Sequence, residues 1–405
     1  MHNPLLSIVM PTHNRYRYAS HALHSLLSLK PGPDILEIVV HDTSTSFDLR
    51  DWVASSCDDD QRLHYVHSAE LLDLTQNHNR ALAMASGRYL CLIGDDDTVL
   101  PDLLELADYA DKHNIDCIAP QIVANYAWPD FVSRTFGTGH AGRLYVKRKY
   151  GAFERKLTEP ALNASLARAA QGTDGLPKLY HGLVKRRVME VIRSKTGDYV
   201  HGASPDVSAA LAIAATIESF VEIDFPVTLP GASGGSNTGA SAMGQHKGDL
   251  ANTRQTSRYA ANWPALVPPF YSVETVWAHA AFETLRLLNH PALKQFNYPE
   301  LYMQCLIRHR REVDHTFQSM KAYQRLRGTS TTELSFMCIS SAASIIMREA
   351  MRLAIRATRP TAAGNRRHFG ALATIAEAQT MAVRIIASDD VGLATLLGNQ
   401  EGPQS

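Results

Sequence analysis

The first 120 residues alternate short apolar runs, rich in β-branched and aromatic side chains, with stretches whose apolar residues recur at helical spacing. Residues 5–10 (LLSIVM), 35–41 (ILEIVVH), 63–66 and 89–93 (YLCLI) are the runs, with 115–119 (IDCIA) as a fifth. Residues 18–29, 76–86 and 101–113 carry the helical pattern. A continuous apolar strand must be covered on both faces, which predicts a mostly parallel sheet flanked by helices. In such a sheet ligands bind outside the carboxyl ends of the strands, where the strand order reverses. The polar clusters of this chain fall immediately after the strands.

The sharpest cluster is Gly94-Asp95-Asp96-Asp97, directly after YLCLI. Three carboxylates at a strand end repel one another and are costly to desolvate unless a cation neutralises them. Hard divalent ions take oxygen ligands, and Mg²⁺ is typically held by one or two carboxylates with phosphate oxygens completing its shell. Asp95 and Asp97, two apart, are expected to turn toward one ion. An acidic turn capping the following helix is the plainer alternative. Pro11-Thr12-His13-Asn14-Arg15 follows the first strand and His41-Asp42-Thr43-Ser44-Thr45 the second, where a nucleotide is expected. A buried Asp42 could accept the N3–H of a uracil-like base, with His13 flat against its face. Each of these segments, taken alone, is also an ordinary strand-to-helix turn.

In order along the chain, PTHNR, VVHDTST, NRALAMASGRY and LIGDDDTVLPD resemble family 2 glycosyltransferases of the GT-A type. That family reads PTYNR, VVDDGS, RNxGxxxAxGxY and DDDD-xxx-P at these spacings. The resemblance spans about residues 5–110, and 178–215 (with LYHGLVKRRVMEVIR and GASPDVSAALAIA) is similar to the acceptor half of bacterial members. It implies a GT-A-like α/β fold with a Rossmann-like nucleotide-binding half. Thr12 and His13 then match the base-contacting pair, with Asn14 and Arg15 beside them, and Asp42 the uracil contact. Asn79 and Arg80, with Arg88, lie in the phosphate-facing segment. Asp95 and Asp97 match the metal- and ribose-binding DxD pair, with Asp96 between them on the donor. His13, His41, His78 and Ala81 stand where the family usually has Tyr, Asp, Arg and Gly, which alters base and phosphate contacts and leaves the metal site untouched.

Asp206, in Ser204-Pro205-Asp206, matches the family's catalytic base at the start of a helix; a capping carboxylate is the bland reading. His246 follows the glycine-rich stretch 230–248, about where GT-A enzymes often supply a histidine to the metal or diphosphate, although a solvent-exposed loop histidine is the simpler reading. That stretch is expected to close over the donor and exclude water.

The reaction implied is an inverting transfer from a nucleotide-sugar, a UDP-sugar by preference, onto a glycan or lipid-linked acceptor of surface-polysaccharide type, with Mn²⁺ or Mg²⁺. A nucleotidyltransferase is the enzymatic alternative, and it would normally carry a Gly-rich phosphate loop after strand one. A non-catalytic nucleotide- or glycan-binding scaffold is the other. The expected division is 1–120 for the donor half, 121–248 for the acceptor half and 249–405 for a helical C-terminal region. Helices are expected over 179–194 and 205–215, then 273–288, 301–313, 334–357 and 371–387, with loops and some strand over 121–175.

Lys plus Arg equals Asp plus Glu at 40 each, so no whole-molecule field points to nucleic acid. Five scattered cysteines without a CxxC pair suit a reducing compartment. The N-terminus reads as a first strand and not a signal peptide, and no run approaches the roughly 18–20 uninterrupted apolar residues of a spanning helix. The chain is therefore expected in the cytoplasm. Residues 308–367 hold twelve Lys or Arg against four Asp or Glu. This is a solvated helical face or, alternatively, a peripheral contact with the inner face of the cell membrane.

Overall fold

A computed structural model of the chain describes every residue except 1–2, 58, 237–238, 240–242, 244–246, 359–362 and 401–405. Strands β1 (Leu6–Thr12), β2 (Leu36–Asp42) and β4 (Tyr89–Leu92) are buried along their whole length. Continuous apolar runs demand that. β3 (Leu63–His67) lies at the edge and alternates half-buried with exposed side chains. Helices α1 (Tyr16–Leu27), α2 (Asp48–Ser56) and α3 (Leu74–Met84) make the crossovers. β1 runs parallel to β2 on one side and to β4 on the other, so the strand order reverses there.

The central sheet has eight strands in the order β3-β2-β1-β4-β10-β6-β11-β9. After β5 (Thr98–Val99) and α4 (Asp102–Lys112) come β6 (Cys117–Pro120), β7 (Ala124–Ala127), β8 (Arg143–Val146), β9 (Ala152–Leu157) and α5 (Thr158–Ala167). The stretch expected as loops with some strand thus holds three strands, and a helix that was not expected. β10 (Leu183–Lys185) corrects the helix expected from residue 179. It fills the slot between β4 and β6, antiparallel to both, and the helix α6 (Arg186–Thr196) starts only after it. Helix α7 (Pro205–Ala214) and strand β11 (Ser219–Asp224) follow, then the short β12 (Thr228–Leu229) and β13 (Gly231–Ala232).

A second core is built by α8 (Val273–Leu287) and α9 (Tyr298–Arg308) with α5 and α7; Met320 and Tyr323 of α10 (Val313–Arg327) pack against it, and α11 (Thr331–Ala357) packs on α9. The sequence did not announce α10, whose few apolar residues leave only Thr316, Ser319 and Ala322 buried. The chain then returns to the first core. β14 (Arg367–Phe369) pairs with β8, and α12 (Ile375–Ala387) packs on α1, its Gln379 amide donating to the Val99 carbonyl at 2.7 Å. The short α13 (Leu393–Gly398) closes that core, with Leu393, Leu396 and Leu397 buried.

Candidate functional site

Because β2, β1 and β4 are neighbours, their carboxyl ends bring Asp42, Thr12 and Asp95 to one edge. Thr12 and Asp42 are register partners. The Thr12 hydroxyl donates to Asp95 Oδ2 at 2.7 Å, and the Thr43 amide donates to the Thr12 carbonyl at 3.1 Å. The turn after β1 needs a left-handed residue, and Asn14 supplies it at φ 55°, a conformation asparagine tolerates better than most. Its amide donates to Ser44 Oγ at 2.7 Å and its Oδ1 accepts the Thr45 amide at 2.8 Å, tying the β1 and β2 turns together.

Arg15, one residue on, reaches back over the triplet. Its Nε lies 2.5 Å from Asp95 Oδ1 and its Nη2 3.0 Å from Asp96 Oδ2. The same nitrogen donates to Ser233 Oγ at 2.7 Å, and that hydroxyl donates to Asp96 at 2.6 Å. The guanidinium stacks 4.6 Å from the Tyr18 ring centroid. All three carboxylates are buried, at 7%, 6% and 3% exposure. Burial is the main force raising the pKa of Asp95 and lifting Asp96 to about 7, with the Asp97 charge adding to it.

Asp97 behaves differently. Its Oδ2 accepts from the Gly94 amide at 2.7 Å and the Tyr180 hydroxyl at 3.1 Å, with His181 Nε2 also at 3.1 Å. Its Oδ1 accepts the Gly231 amide at 2.6 Å. Burial alone would raise its pKa, but His181 and these amides outweigh it and hold Asp97 low. A side chain with both oxygens engaged by inward donors serves as an anchor for the loop after β12. Gly231 is required at that anchor, since a Cβ there would meet the Asp96 carbonyl at 1.8 Å.

These contacts decide what a divalent ion could use. Among the described residues no three His, Cys, Asp or Glu side chains converge as a ready metal cage. Asp95 and Asp96 do converge, on Arg15, and one guanidinium cannot neutralise both buried carboxylates. That pair fits an ion whose remaining ligands come from a phosphate. Asp97, expected as the second ligand, has Oδ2 engaged by three donors and Oδ1 by the Gly231 amide alone. His246 lies outside the described residues.

The other expected residues divide. His13 is at the site, its Nδ1 donating to the Thr43 carbonyl at 2.6 Å, with Asn14 Nδ2 3.1 Å from its other nitrogen. Burial lowers its pKa, more than the Thr43 contact raises it. Asp42 is fully buried and its oxygens accept the Ser44 amide and the Tyr65 hydroxyl, each at 2.8 Å, so it shapes the turn beneath the edge. Asn79 is taken up by the backbone of Tyr199 and Val200. Arg80 is 63% exposed and lies 3.6 Å from Glu70, away from the triplet's hydrogen-bond network.

Asp206, half-buried at the start of α7, accepts the Ser204 hydroxyl on Oδ1. The preceding Gly202 carbonyl is gripped by Thr75 of α3 at 2.6 Å and Tyr259 at 2.9 Å. His78 of α3 senses the Asp206 charge, yet burial dominates and lowers its pKa to about 4. Asp206 therefore keeps a neutral histidine for a neighbour at pH 7. Asn77, on the same helix, donates to the Thr12 carbonyl at 2.9 Å, linking the Asp206 side to the strand-end site.

Sequence reasoning missed Ser233, Tyr180, His181 and Asn77. The LYHG segment was visible as a pattern, but nothing in it told that its rings would close on Asp97. His181 adopts φ 58°, and its buried Nδ1 has no partner among the described residues.

Residues 7–162 match the family described as Glycosyl transferase family 2. WcaA of Escherichia coli strain K12, whose name assigns it to colanic acid biosynthesis, is 35% identical over 105 residues, 26% of this chain and 37% of that protein. TuaG of Bacillus subtilis strain 168, named for teichuronic acid biosynthesis, is 33% identical over 102 residues, 25% of this chain and 40% of its own length. The chain thus spans about two fifths of the curated relatives it matches. A crystal structure of Staphylococcus aureus TarS 1-349 in complex with UDP-GlcNAc aligns at 12% identity and a TM-score of 0.45, covering 80% of this chain and 93% of that one.

Proposed function

We propose that this chain, which belongs to glycosyl transferase family 2 through residues 7–162, moves a sugar from a nucleotide-sugar donor to a glycan acceptor of the cell surface. One observation carries the reading: of three buried carboxylates at the switch point of the sheet, two share a single guanidinium. A donor diphosphate arriving with a divalent ion corrects that imbalance, whereas a purely structural cluster would already be neutral. The acceptor class rests on the names of the matched relatives.

In this reading the donor half is residues 1–120, the acceptor half 121–248, and the remainder supports both. The donor is a UDP-sugar. His13, fixed by the Thr43 carbonyl, offers a flat neutral ring to the base, and Asp42 supports the turn that carries Thr43 and Ser44. Asp95 and Asp96 would hold Mg²⁺ or Mn²⁺, which supplies charge stabilisation to the departing diphosphate. Arg15 adds a positive charge already oriented at the same place. Asp206 takes the proton of the acceptor hydroxyl, which attacks the anomeric carbon from the face opposite the leaving group, inverting it. His78, neutral at pH 7, places no positive charge beside that carboxylate. Five buried free thiols suit a cytoplasmic site of reaction.

The test is release of UDP and glycosyl transfer across a panel of UDP-sugars, with and without Mn²⁺. Metal-dependent turnover that disappears in Asp95→Ala/Asp96→Ala supports the reading. Donor binding with no turnover in any condition would make the chain a scaffold and end it.

A further inference from the structure

We propose that the outward face of α11 docks on a lipid bilayer bearing anionic headgroups, lying along its surface. The inner seam of the helix, Leu334, Cys338, Ser341 and Ile345, is buried, and α9 is the helix it packs on. On the opposite side Phe336, Ile339, Ile346, Met347, Met351 and Leu353 are each between 62% and 74% exposed. From residue 335 to 357 the only ionised side chains are Arg348, Glu349, Arg352 and Arg356. At about 100° per residue all four project to the inner half of the helix.

Three of them are tied to the body of the protein. Arg348 pairs with Glu300, Glu349 with Arg308 at 2.9 Å, and Arg356 sits 4.7 Å over the Phe136 ring. The outer half of α11 is thus uncharged for roughly 30 Å, at 1.5 Å rise per residue. A solvated helix would carry its charges outward, and an apolar stripe of this length marks a surface that meets something else.

Charge says what. Residues 308–367 carry twelve Lys or Arg against four Asp or Glu in a chain whose net charge is zero. Arg310, Arg311, Lys321, Arg325 and Arg327 are exposed and have no carboxylate partner among the described residues. A second copy would bring the same positive charge against this face; an anionic bilayer brings the opposite one. With 27 residues and a mean hydropathy of 1.2, α11 is long and apolar enough to cross a membrane by length and composition. Its inner seam on α9 prevents that, leaving the geometry of an interfacial helix with apolar residues down and basic residues up.

The experiment floats the full chain with vesicles of phosphatidylcholine alone or with phosphatidylglycerol added, at low and high salt. Wild type should float with the anionic vesicles at low salt. Binding should fall by roughly tenfold or more on neutral vesicles, at high salt, and in Ile346→Glu/Leu353→Glu, whose side chains are 63% and 67% exposed. Absence of flotation at low salt, or flotation unchanged in the variant, overturns the proposal. So does a dimer in lipid-free solution that the same variant makes monomeric, which would give the face to a second copy. UDP release separates this from the proposed reaction: Ile346→Glu/Leu353→Glu should keep it, and Asp95→Ala/Asp96→Ala should still float.

Discussion

Two buried acidic sites of this molecule make opposite use of their surroundings. Glu274, at the start of α8, accepts from Arg308 at 2.9 Å on one oxygen and pairs with His309 at 2.7 Å through the other. Burial would raise its pKa, but these partners outweigh it and bring the group to about 2. At the end of β4, Asp95 and Asp96 share Arg15, and burial carries Asp96 up to about 7. The first site is matched within the fold. The second holds more negative charge than the fold neutralises, which is how a site built for a cationic or metal-bearing ligand differs from a structural one.

The largest effect that could break this contrast lies at the undercharged site. Asp95→Ala/Asp96→Ala should lower kcat/KM for donor by about a thousandfold, about 4 kcal/mol of transition-state stabilisation, while circular dichroism stays native. Turnover within tenfold of wild type would mean the imbalance has no catalytic use. Next comes the matched site. Glu274→Ala leaves His309 without its carboxylate and Arg308 with Glu349 alone, and should cost about 2–3 kcal/mol in urea unfolding, at the low end for a buried pair because Arg308 is 43% exposed. UDP release by the folded variant should be unchanged.

The pH dependence sharpens the comparison, because the two groups carry opposite signs. Asp96 has a raised folded-state pKa, so its contribution to stability is complete below 3.8 and lost as pH rises toward 7. Glu274 has a lowered one, so its contribution is complete above 4.5 and lost as pH falls toward 2. Without ligand, Asp96→Asn should therefore raise the melting temperature more at pH 8 than at pH 5. Glu274→Gln should lower it more at pH 6 than at pH 3. Equal shifts at both pH values in either variant would erase the distinction. The smallest expected effect is at Arg80: exposed and loosely paired with Glu70, it should change stability by less than about 0.5 kcal/mol when replaced by alanine. A clear rise in donor KM in that variant would restore the phosphate role that its position in the sequence implied.

The parts that were legible in the sequence are local. β1, β2 and β4 could be read because a strand covered on both faces is apolar over most of its length, and these short runs alternate with helical patterns. The polar segments after β1, β2 and β4 could be located because parallel strands put their carboxyl ends on one edge. α10 stayed hidden because only Thr316, Ser319 and Ala322 of it are buried, so it has little apolar rhythm. β10 was taken for helix because LYHGLVKRR carries no strand-length apolar run and owes its conformation to the gap between β4 and β6.

What the order of residues determined by itself was the alternating α/β scaffold, the edge where a ligand would sit and the acidic triplet on that edge, since each follows from nearest-neighbour periodicity and strand direction. Only the tertiary structure decided which carboxylates remain available. Arg15 with Ser233, and Asp97 with Tyr180, His181 and Gly231, meet across separations of 83 to 218 residues. Whether a charge is neutralised depends on which side chains reach it in space, and one-dimensional spacing carries no record of that.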